Sequence, residues 1–293
     1  MSKVIFSLYI DIPEKDLDLF DTHILKENEI SRNLLTKQAF RDNYNKLIEC
    51  KKRYAEAVGA KFVLYEYNED YISYRNYWKK HFPQITDYNI VNFYKLKCMF
   101  ALNHIYDEVL YLDFDTIPTT NESFFERWDL SKGIALLNNN NKIRSKGQKT
   151  HQISGTIRSP AAKYYNAQAM LLENNYPLDC DVVNTAIIGM TKKHSMQLKY
   201  FHGIGETIRL MDYLKTEEYE SVFPKNITKI FGYDNETIFS YKLKTTNTPV
   251  QWLDNEWHYF YDAELHIPKE TKIIHAINKR FDFCWRFYEK LDL

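Results

Sequence analysis

Short apolar strand patterns alternate with helix patterns along the sequence, and this alternation limits the folds that the chain can adopt. Strands separated by helices long enough to cross over a sheet are typical of α/β domains with a largely parallel sheet. Strands are predicted at residues 3–10, 61–67, 108–112, 133–137, 182–190 and 271–277. Helices are predicted at residues 31–58, 87–106, 160–173 and 192–214, with Gly59 ending the first of them.

Glycine is scarce in this chain, with 8 glycines among 293 residues. They form neither G-x-G-x-x-G nor G-x-x-x-x-G-K-[ST], which argues against a dinucleotide-type Rossmann site and a P-loop. The charge is balanced, with 39 Lys and Arg against 39 Asp and Glu. A protein that binds a phosphate backbone normally carries an excess of Lys and Arg, so no nucleic-acid partner is expected. A chain of this composition that handles a diphosphate needs a bound cation in place of a glycine-lined loop.

The compartment is predicted from the cysteines and the apolar runs. The four cysteines lie far apart in sequence, so neither a zinc framework nor a disulfide scaffold is indicated, and a reducing compartment is expected. No stretch approaches the roughly 18 consecutive apolar residues that a membrane span needs. We therefore expect no transmembrane segment and a cytoplasmic location, in a bacterial cytosol or in the host cytosol of a large virus. The sequence predicts no oligomeric state.

Residues 138–158 contain four consecutive asparagines and almost no apolar side chain. Such a segment cannot bury enough apolar surface to order itself, so it is predicted to be a long mobile loop. Two interpretations are open: a disordered surface excursion, and a lid that closes over a bound substrate.

Two carboxylates follow the predicted strand at 108–112. Asp113 and Asp115 are i and i+2, which places them on one side of an extended chain, roughly 6.5 Å apart. Open α/β sheets bind ligands at the carboxyl ends of their strands, and carboxylate oxygens suit Mg²⁺ or Mn²⁺. The alternative is that both aspartates cap the next turn. Two other pairs share the spacing but do not end a buried strand: Asp16 with Asp18, and Asp179 with Asp181.

Several segments around this pair resemble, in the same order, the core of the GT-A glycosyltransferases. The closest likeness is to glycogenin and to the bacterial lipopolysaccharide galactosyl- and glucosyltransferases. The first similar stretch consists of residues 94–99, the helix that continues from them, and the strand that ends in Asp-Phe-Asp-Thr at 113–116. Residues 183–189, 232–236 and 271–279 resemble three later elements of these enzymes. The resemblance covers roughly residues 90–285 and the opening strand.

The resemblance implies a Rossmann-like GT-A fold, with a mixed, mostly parallel central sheet flanked by helices. It implies one domain over residues 1–293. Residues 1–120 would form a nucleotide-binding half that ends in the aspartate pair. Residues 121–293 would form the acceptor and sugar-pocket half, with the mobile loop near 138–158.

The resemblance also implies roles for individual side chains. Asp113, Asp115 and His275 would hold a metal ion, and two carboxylates with one imidazole favour Mn²⁺ over Mg²⁺. The remaining implied residues bind the donor or take part in catalysis. Tyr9 would meet the nucleobase, Lys95 and Lys279 the diphosphate, and Asn235 the sugar, while the catalytic candidates are Asn184, Asp234 and Glu236.

The activity implied is that of a hexosyl- or pentosyltransferase. It would move a sugar from a nucleotide-sugar donor, with a UDP-sugar expected, to a hydroxyl of a glycan or glycoprotein acceptor, with retention of configuration. One alternative is a haloacid-dehalogenase-type phosphatase with Asp113 as nucleophile, although Ile117 stands where that motif has Thr or Val. The other is a catalytically silent carbohydrate-binding protein, which the aromatic fraction of 16% also allows.

Overall fold

The computed structural model describes residues 1–16, 32–139, 159–216, 233–262, 266–291 and 293. Residues 140–158 of the predicted loop, as well as Asp18 and Gly232, lie outside the described residues. The chain divides into two compact units. The first comprises Met1–Leu130, Ala186–Thr191 and Leu253–Leu293, and the second Ser131–Thr185 and Lys192–Trp252. The single domain with a division at residue 120 stays a prediction.

Strands and helices alternate along the described chain. The strands are β1 (Lys3–Tyr9), β2 (Lys61–Glu66), β3 (Glu108–Leu112), β4 (Thr116–Pro118), β5 (Ile134–Asn138), β6 (Val183–Thr191), β7 (Val250–Trp252), β8 (Tyr259–Phe260) and β9 (Ile273–His275). The helices are α1 (Arg32–Ala57), α2 (Glu69–His81), α3 (Asp87–Leu102), α4 (Phe124–Arg127), α5 (Ser159–Glu173), α6 (Lys192–Leu198), α7 (Ile204–Lys215), α8 (Asn235–Thr246) and α9 (Phe281–Tyr288).

A six-stranded sheet has the strand order β2-β1-β3-β6-β5-β7. β1 runs parallel to β2 and β3, and β5 runs parallel to β7, whereas β6 runs antiparallel to β3. The predicted α/β fold with a mixed, mostly parallel sheet is therefore confirmed.

β3 leads to the predicted metal site and is a buried strand of the first unit. All five of its residues are buried, as expected for a strand inside a parallel sheet. α3 packs against β1 and β3, while α1 packs against β1, β2 and β4. Beside β3, Gly189 of β6 leaves room for the Phe124 ring, since a Cβ at this glycine would lie 2.6 Å from a ring carbon.

A second, three-stranded sheet in the first unit has the order β4-β9-β8. β4 and β9 are antiparallel with Thr116 opposite His275, and β8 and β9 are parallel with Phe260 opposite His275. This register brings the turn after β3 next to the end of β9.

Several predicted boundaries need correction. The helix predicted at 192–214 is two helices, α6 and α7, because Lys199 (φ 47°) and Gly203 (φ 65°) adopt left-handed backbone conformations between them. The helix predicted to reach residue 106 ends at Leu102, and the late strand is only the three residues of β9. Gly59, with φ 64°, follows α1 as predicted.

Four of the described helices were not predicted: α2, α4, α8 and α9. α2 begins after Asn68, whose side chain accepts a hydrogen bond from the backbone N–H of Tyr71, and α8 begins after Asp234 in the same manner. Both N-caps follow the known side-chain preference and were readable from the sequence. No helix among the described residues combines the length and the hydropathy that crossing a membrane requires.

Candidate metal centre

Asp113, Asp115 and His275 come together in the first unit. One carboxylate oxygen from each aspartate and one ring nitrogen of His275 all lie within 4.8 Å of one another. Asp115 and His275 are buried, whereas the side chain of Asp113 is 29% exposed. Two carboxylates and an imidazole at these separations, with access from solvent at Asp113, fit the donor set of a divalent transition-metal ion.

A tight turn after β3 holds Asp113. Its backbone N–H donates to the carbonyl oxygen of Ala186 over 2.7 Å, which continues the β3–β6 ladder by one residue. Its own carbonyl oxygen accepts from the backbone N–H of Thr116 at 3.0 Å and from Thr116 Oγ1 at 2.7 Å. The turn thus directs the chain from β3 into β4.

The pairing of β4 with β9 delivers His275 to Asp115. The backbone N–H of Ala276 donates to the carbonyl oxygen of Asp115 over 3.0 Å, next to the Thr116–His275 pair of the ladder. His275 Nε2 lies 3.4 Å from Asp115 Oδ2. The imidazole therefore reaches the carboxylate from a strand that is about 160 residues away in the sequence.

An ammonium group accompanies each carboxylate. Lys279 Nζ contacts Asp115 Oδ2 directly. Lys95 Nζ lies 3.6 Å from Asp113 Oδ1, and the hydroxyl of Tyr111 donates to the same oxygen. The predicted site residues Lys95 and Lys279 thus lie at the aspartate pair. Each lysine ammonium group pairs with one aspartate carboxylate in poorly solvated surroundings.

These contacts fix protonation states. Burial alone would raise the pKa of Asp115, but the neighbouring Lys279 ammonium and His275 imidazole outweigh it and hold the pKa below its usual value. Burial beside Asp113 raises the pKa of Tyr111 well above its ordinary value. At neutral pH Asp115 is therefore an ionised acceptor and Tyr111 a neutral donor.

Lys51 of α1 was not predicted to belong to the site. It is fully buried, and its Nζ donates to the carbonyl oxygens of Phe114 at 2.9 Å and Thr116 at 2.6 Å, on either side of Asp115. A third bond of 3.2 Å goes to the carbonyl oxygen of Leu47. Burial lowers the pKa of Lys51. A signal existed in the sequence, since Lys51 is spaced with Leu47 and Tyr54 on the apolar side of the predicted helix.

Tyr9, the predicted nucleobase contact, ends β1 in the same unit. Its ring centroid lies 4.7 Å from that of Phe114 and 4.9 Å from that of Tyr44. Its hydroxyl donates to Asp11 Oδ2 over 3.3 Å. The ring is half-buried and packs beside the residue between the two aspartates, while its contact with a nucleobase stays a prediction.

The predicted catalytic residues Asp234 and Glu236 lie in the second unit and make structural contacts there. Asp234 Oδ1 accepts from the backbone N–H of Glu236 at 2.8 Å and so caps α8. Glu236 Oε1 accepts from the backbone N–H of Thr185 at 2.9 Å. Lys163 Nζ lies 2.5 Å from Glu236 Oε2 and 3.4 Å from Asp234 Oδ2, so one ammonium group serves both carboxylates.

Asn235 and Asn184 complete this cluster. The side chain of Asn235 is buried, and its Nδ2 donates to Thr185 Oγ1 over 2.8 Å. Asn184 is half-buried and precedes Thr185 in β6. Asp234, Asn235 and Glu236 thus contact Lys163 or Thr185, neither of which was predicted, whereas Asn184 is the neighbour of Thr185 in sequence. Their roles in sugar binding or catalysis stay predictions.

Comparison with known proteins gives matches only among solved structures. No protein-family model matches the sequence, and no curated protein matches it. A glycosyltransferase involved in the glycosylation of the major capsid of PBCV-1 is 14% identical, with a TM-score of 0.42 over 98% of this chain and 99% of that chain. An active-site mutant of LgtC is 13% identical, with a TM-score of 0.43 over 99% of this chain and 96% of that chain.

Mouse xyloside xylosyltransferase 1 in its apo form also matches. It is 10% identical, with a TM-score of 0.40 over 74% of this chain and 75% of that chain. At identities and TM-scores this low, a function for the chain has to be argued from its own site.

Replacing Lys51 by methionine tests whether its ammonium group holds the aspartate turn. The substitution removes the Lys51 donor from the buried carbonyl oxygens of Phe114 and Thr116, each costing about 1–3 kcal/mol when left unsatisfied, while the Leu47 oxygen keeps Cys50 Sγ as a donor. Part of this cost is offset because a buried charge disappears as well. We expect Lys51→Met to lower the free energy of unfolding by about 2 kcal/mol in urea denaturation.

The neighbouring Lys52 provides the matched control. Lys52 is exposed on the same helix, so Lys52→Met should leave the unfolding midpoint nearly unchanged. Equal stability of both variants would show that the turn does not depend on Lys51.

Proposed function

We propose that the chain is a metal-dependent glycosyltransferase of the GT-A type. It transfers a sugar from a nucleotide-diphosphate donor, with a UDP-sugar as the expected donor, to a hydroxyl group of a glycan or glycoprotein. The observation that carries this proposal is the convergence of Asp113, Asp115 and His275 at the carboxyl end of β3, within 4.8 Å of one another. Ligands of open α/β sheets bind at this end of the strands.

Mn²⁺ is the expected ion, and Asp113, Asp115 and His275 would hold it. Hard carboxylate oxygens accept Mn²⁺ and Mg²⁺ alike, whereas an added imidazole favours Mn²⁺. A bound divalent cation would supply Lewis-acid stabilisation of the negative charge on a departing nucleoside diphosphate.

The chain's own side chains prepare the site. Tyr111 and Lys95 hold one oxygen of Asp113, so this carboxylate keeps its direction at the solvent side of the site. Lys279 Nζ contacts Asp115 Oδ2, and with a cation bound to Asp115 its ammonium group would be available to a phosphate. Tyr9 is proposed to meet the nucleobase, and Asn184 and Asn235 to bind sugar hydroxyls.

The contacts of Asp234 and Glu236 support retention of configuration. An inverting transfer needs a carboxylate free to take a proton from the acceptor hydroxyl. Both of these carboxylates are bound to Lys163 and to backbone N–H groups at the start of α8 or in β6. Neither Asp234 nor Glu236 is then placed as a general base, which weighs against inversion through either of them.

Replacing Asp115 by asparagine tests the proposed function. The substitution keeps the shape of the side chain but removes its negative charge, so Mn²⁺ binding measured by calorimetry should be lost. Transfer from a UDP-sugar should fall by about 100- to 1000-fold, as for the loss of one preorganised charge-stabilising group. UDP with Mn²⁺ should raise the melting temperature of the wild-type protein but not that of Asp115→Asn.

Asp42→Asn is the matched control. Asp42 lies on the exposed surface of α1, where it accepts a hydrogen bond only from Gln38 among the contacts described for its side chain. This variant should bind Mn²⁺ and transfer sugar like the wild type. Full activity of Asp115→Asn would rule out the metal mechanism, and aspartyl-phosphate trapping without nucleotide-sugar binding would favour the phosphatase.

The stereochemical outcome is tested on the first product. With an α-linked UDP-sugar donor, proton NMR recorded at early reaction times should show the α-anomer of the new linkage. A β-linked product would contradict retention and would require a base other than the lysine-bound Asp234 and Glu236.

A further inference from the structure

His258 is a buried histidine that lies directly behind the candidate metal centre. Its Nε2 is 3.1 Å from Nδ1 of His275, and its side chain is completely buried. We propose that His258 is a positioning residue that fixes the ring orientation and the tautomer of His275 for cation binding. This inference rests on the proposed metal centre and adds to it a residue outside the ligand set.

The strand register explains why the two histidines meet. Phe260 of β8 stands opposite His275 of β9. His258 lies in the turn directly before β8, and its ring is 5.3 Å from that of His275. The rings of His258 and Phe260 stack at 4.7 Å with an interplanar angle of 17°. The Phe260 ring also lies 5.1 Å from that of His275. Packing on Phe260 thus limits the rotation of both imidazoles.

The two nitrogens of His275 face different partners. Nδ1 faces His258 Nε2 at 3.1 Å, while Nε2 faces Asp115 Oδ2 at 3.4 Å. Only Nε2 therefore points toward the carboxylates and is placed to bind a cation.

The hydrogen bond between the two rings couples this nitrogen to His258. A bond between two neutral imidazoles needs one N–H and one lone pair. When Nδ1–H of His275 donates to Nε2 of His258, Nε2 of His275 carries a lone pair and can bind a metal ion. When the proton stands on Nε2 of His258, Nε2 of His275 carries a proton instead and cannot bind. A metal ion bound at Nε2 of His275 requires the first tautomer, in which His258 is the acceptor; a carboxylate or carbonyl usually performs this task behind a metal-binding histidine.

Three substitutions of His258 separate this role from simple packing. His258→Phe keeps a ring for stacking on Phe260 but cannot accept a hydrogen bond. His258→Gln places an amide oxygen near the former Nε2 and is the conservative variant, whereas the shorter amide of His258→Asn does not reach His275. The exposed His104, replaced by phenylalanine, is the surface control.

The probe is Mn²⁺ without nucleotide. Calorimetry measures its affinity, and pulsed electron paramagnetic resonance detects the magnetic coupling of an imidazole nitrogen to the bound ion. We expect His258→Phe and His258→Asn to bind Mn²⁺ about 10- to 100-fold more weakly than the wild type. Their imidazole nitrogen coupling should be weakened or lost. His258→Gln should recover most of the affinity and the coupling, and His104→Phe should behave like the wild type.

The possible results separate this inference from the proposed function. Wild-type affinity and nitrogen coupling in His258→Phe or His258→Asn would overturn the role of His258 alone. Should His258→Phe fail to fold, the comparison of the glutamine and asparagine variants decides by itself. Mn²⁺ bound by the wild type without nitrogen coupling would also overturn the inference, while leaving the aspartates in place. Mn²⁺ binding unchanged by Asp115→Asn would defeat the metal centre itself.

Discussion

The candidate site depends on the antiparallel pairing of β4 with β9. β4 is only three residues long and starts directly after Asp115, so the turn that carries both aspartates is fixed at one end by β3 and at the other by this pairing. The same register places His275 opposite Thr116, and the parallel pairing of β8 then places His258 behind His275. Since register in a short strand is set by few hydrogen bonds, each bond here bears directly on the site.

The second constraint on the site is that its buried charges and polar groups need partners, and three lysines supply them. Lys51 reaches the aspartate turn from α1 and binds its carbonyl oxygens, whereas Lys95 and Lys279 oppose the carboxylates themselves. A buried ionised group is costly unless it is paired and hydrogen-bonded. The turn therefore needs these lysines for its own stability, whatever it binds. The second unit shows the same pattern, where Lys163 serves Asp234 and Glu236 together.

The fold class could be predicted from the alternation of strand and helix patterns, and the three residues of the candidate metal centre from the resemblance together with local signals. An apolar run followed by Asp113 and Asp115 can be recognised within ten residues, and His275 stands at the end of a short apolar run of its own. Lys51 stands at helical spacing with apolar residues, which marks it as buried, but its carbonyl partners at 114 and 116 lie more than 60 residues away and could not be read from that spacing. His258 was missed because one histidine beside a short strand has no distinctive local pattern. Asp234 was predicted as a catalytic residue from the resemblance at residues 232–236, and that role stays a prediction. Its N-cap contact at the start of α8 was overlooked because a capping aspartate and a catalytic aspartate look alike in sequence.

The scarcity of glycine gains a physical meaning from the contact between Lys279 and Asp115. A chain without a glycine-lined nest of backbone N–H groups has to meet a diphosphate with positive charge from side chains or from a bound ion. In this structure the ammonium group of Lys279 contacts the carboxylate of Asp115, which would bind the ion. A divalent cation held by Asp113, Asp115 and His275 would also give Asp115 a positive partner, and the Lys279 ammonium group beside it would add to the positive charge near a bound phosphate. Ion and lysine together would supply, at one point of a chain with no net charge, the local positive excess that a diphosphate needs.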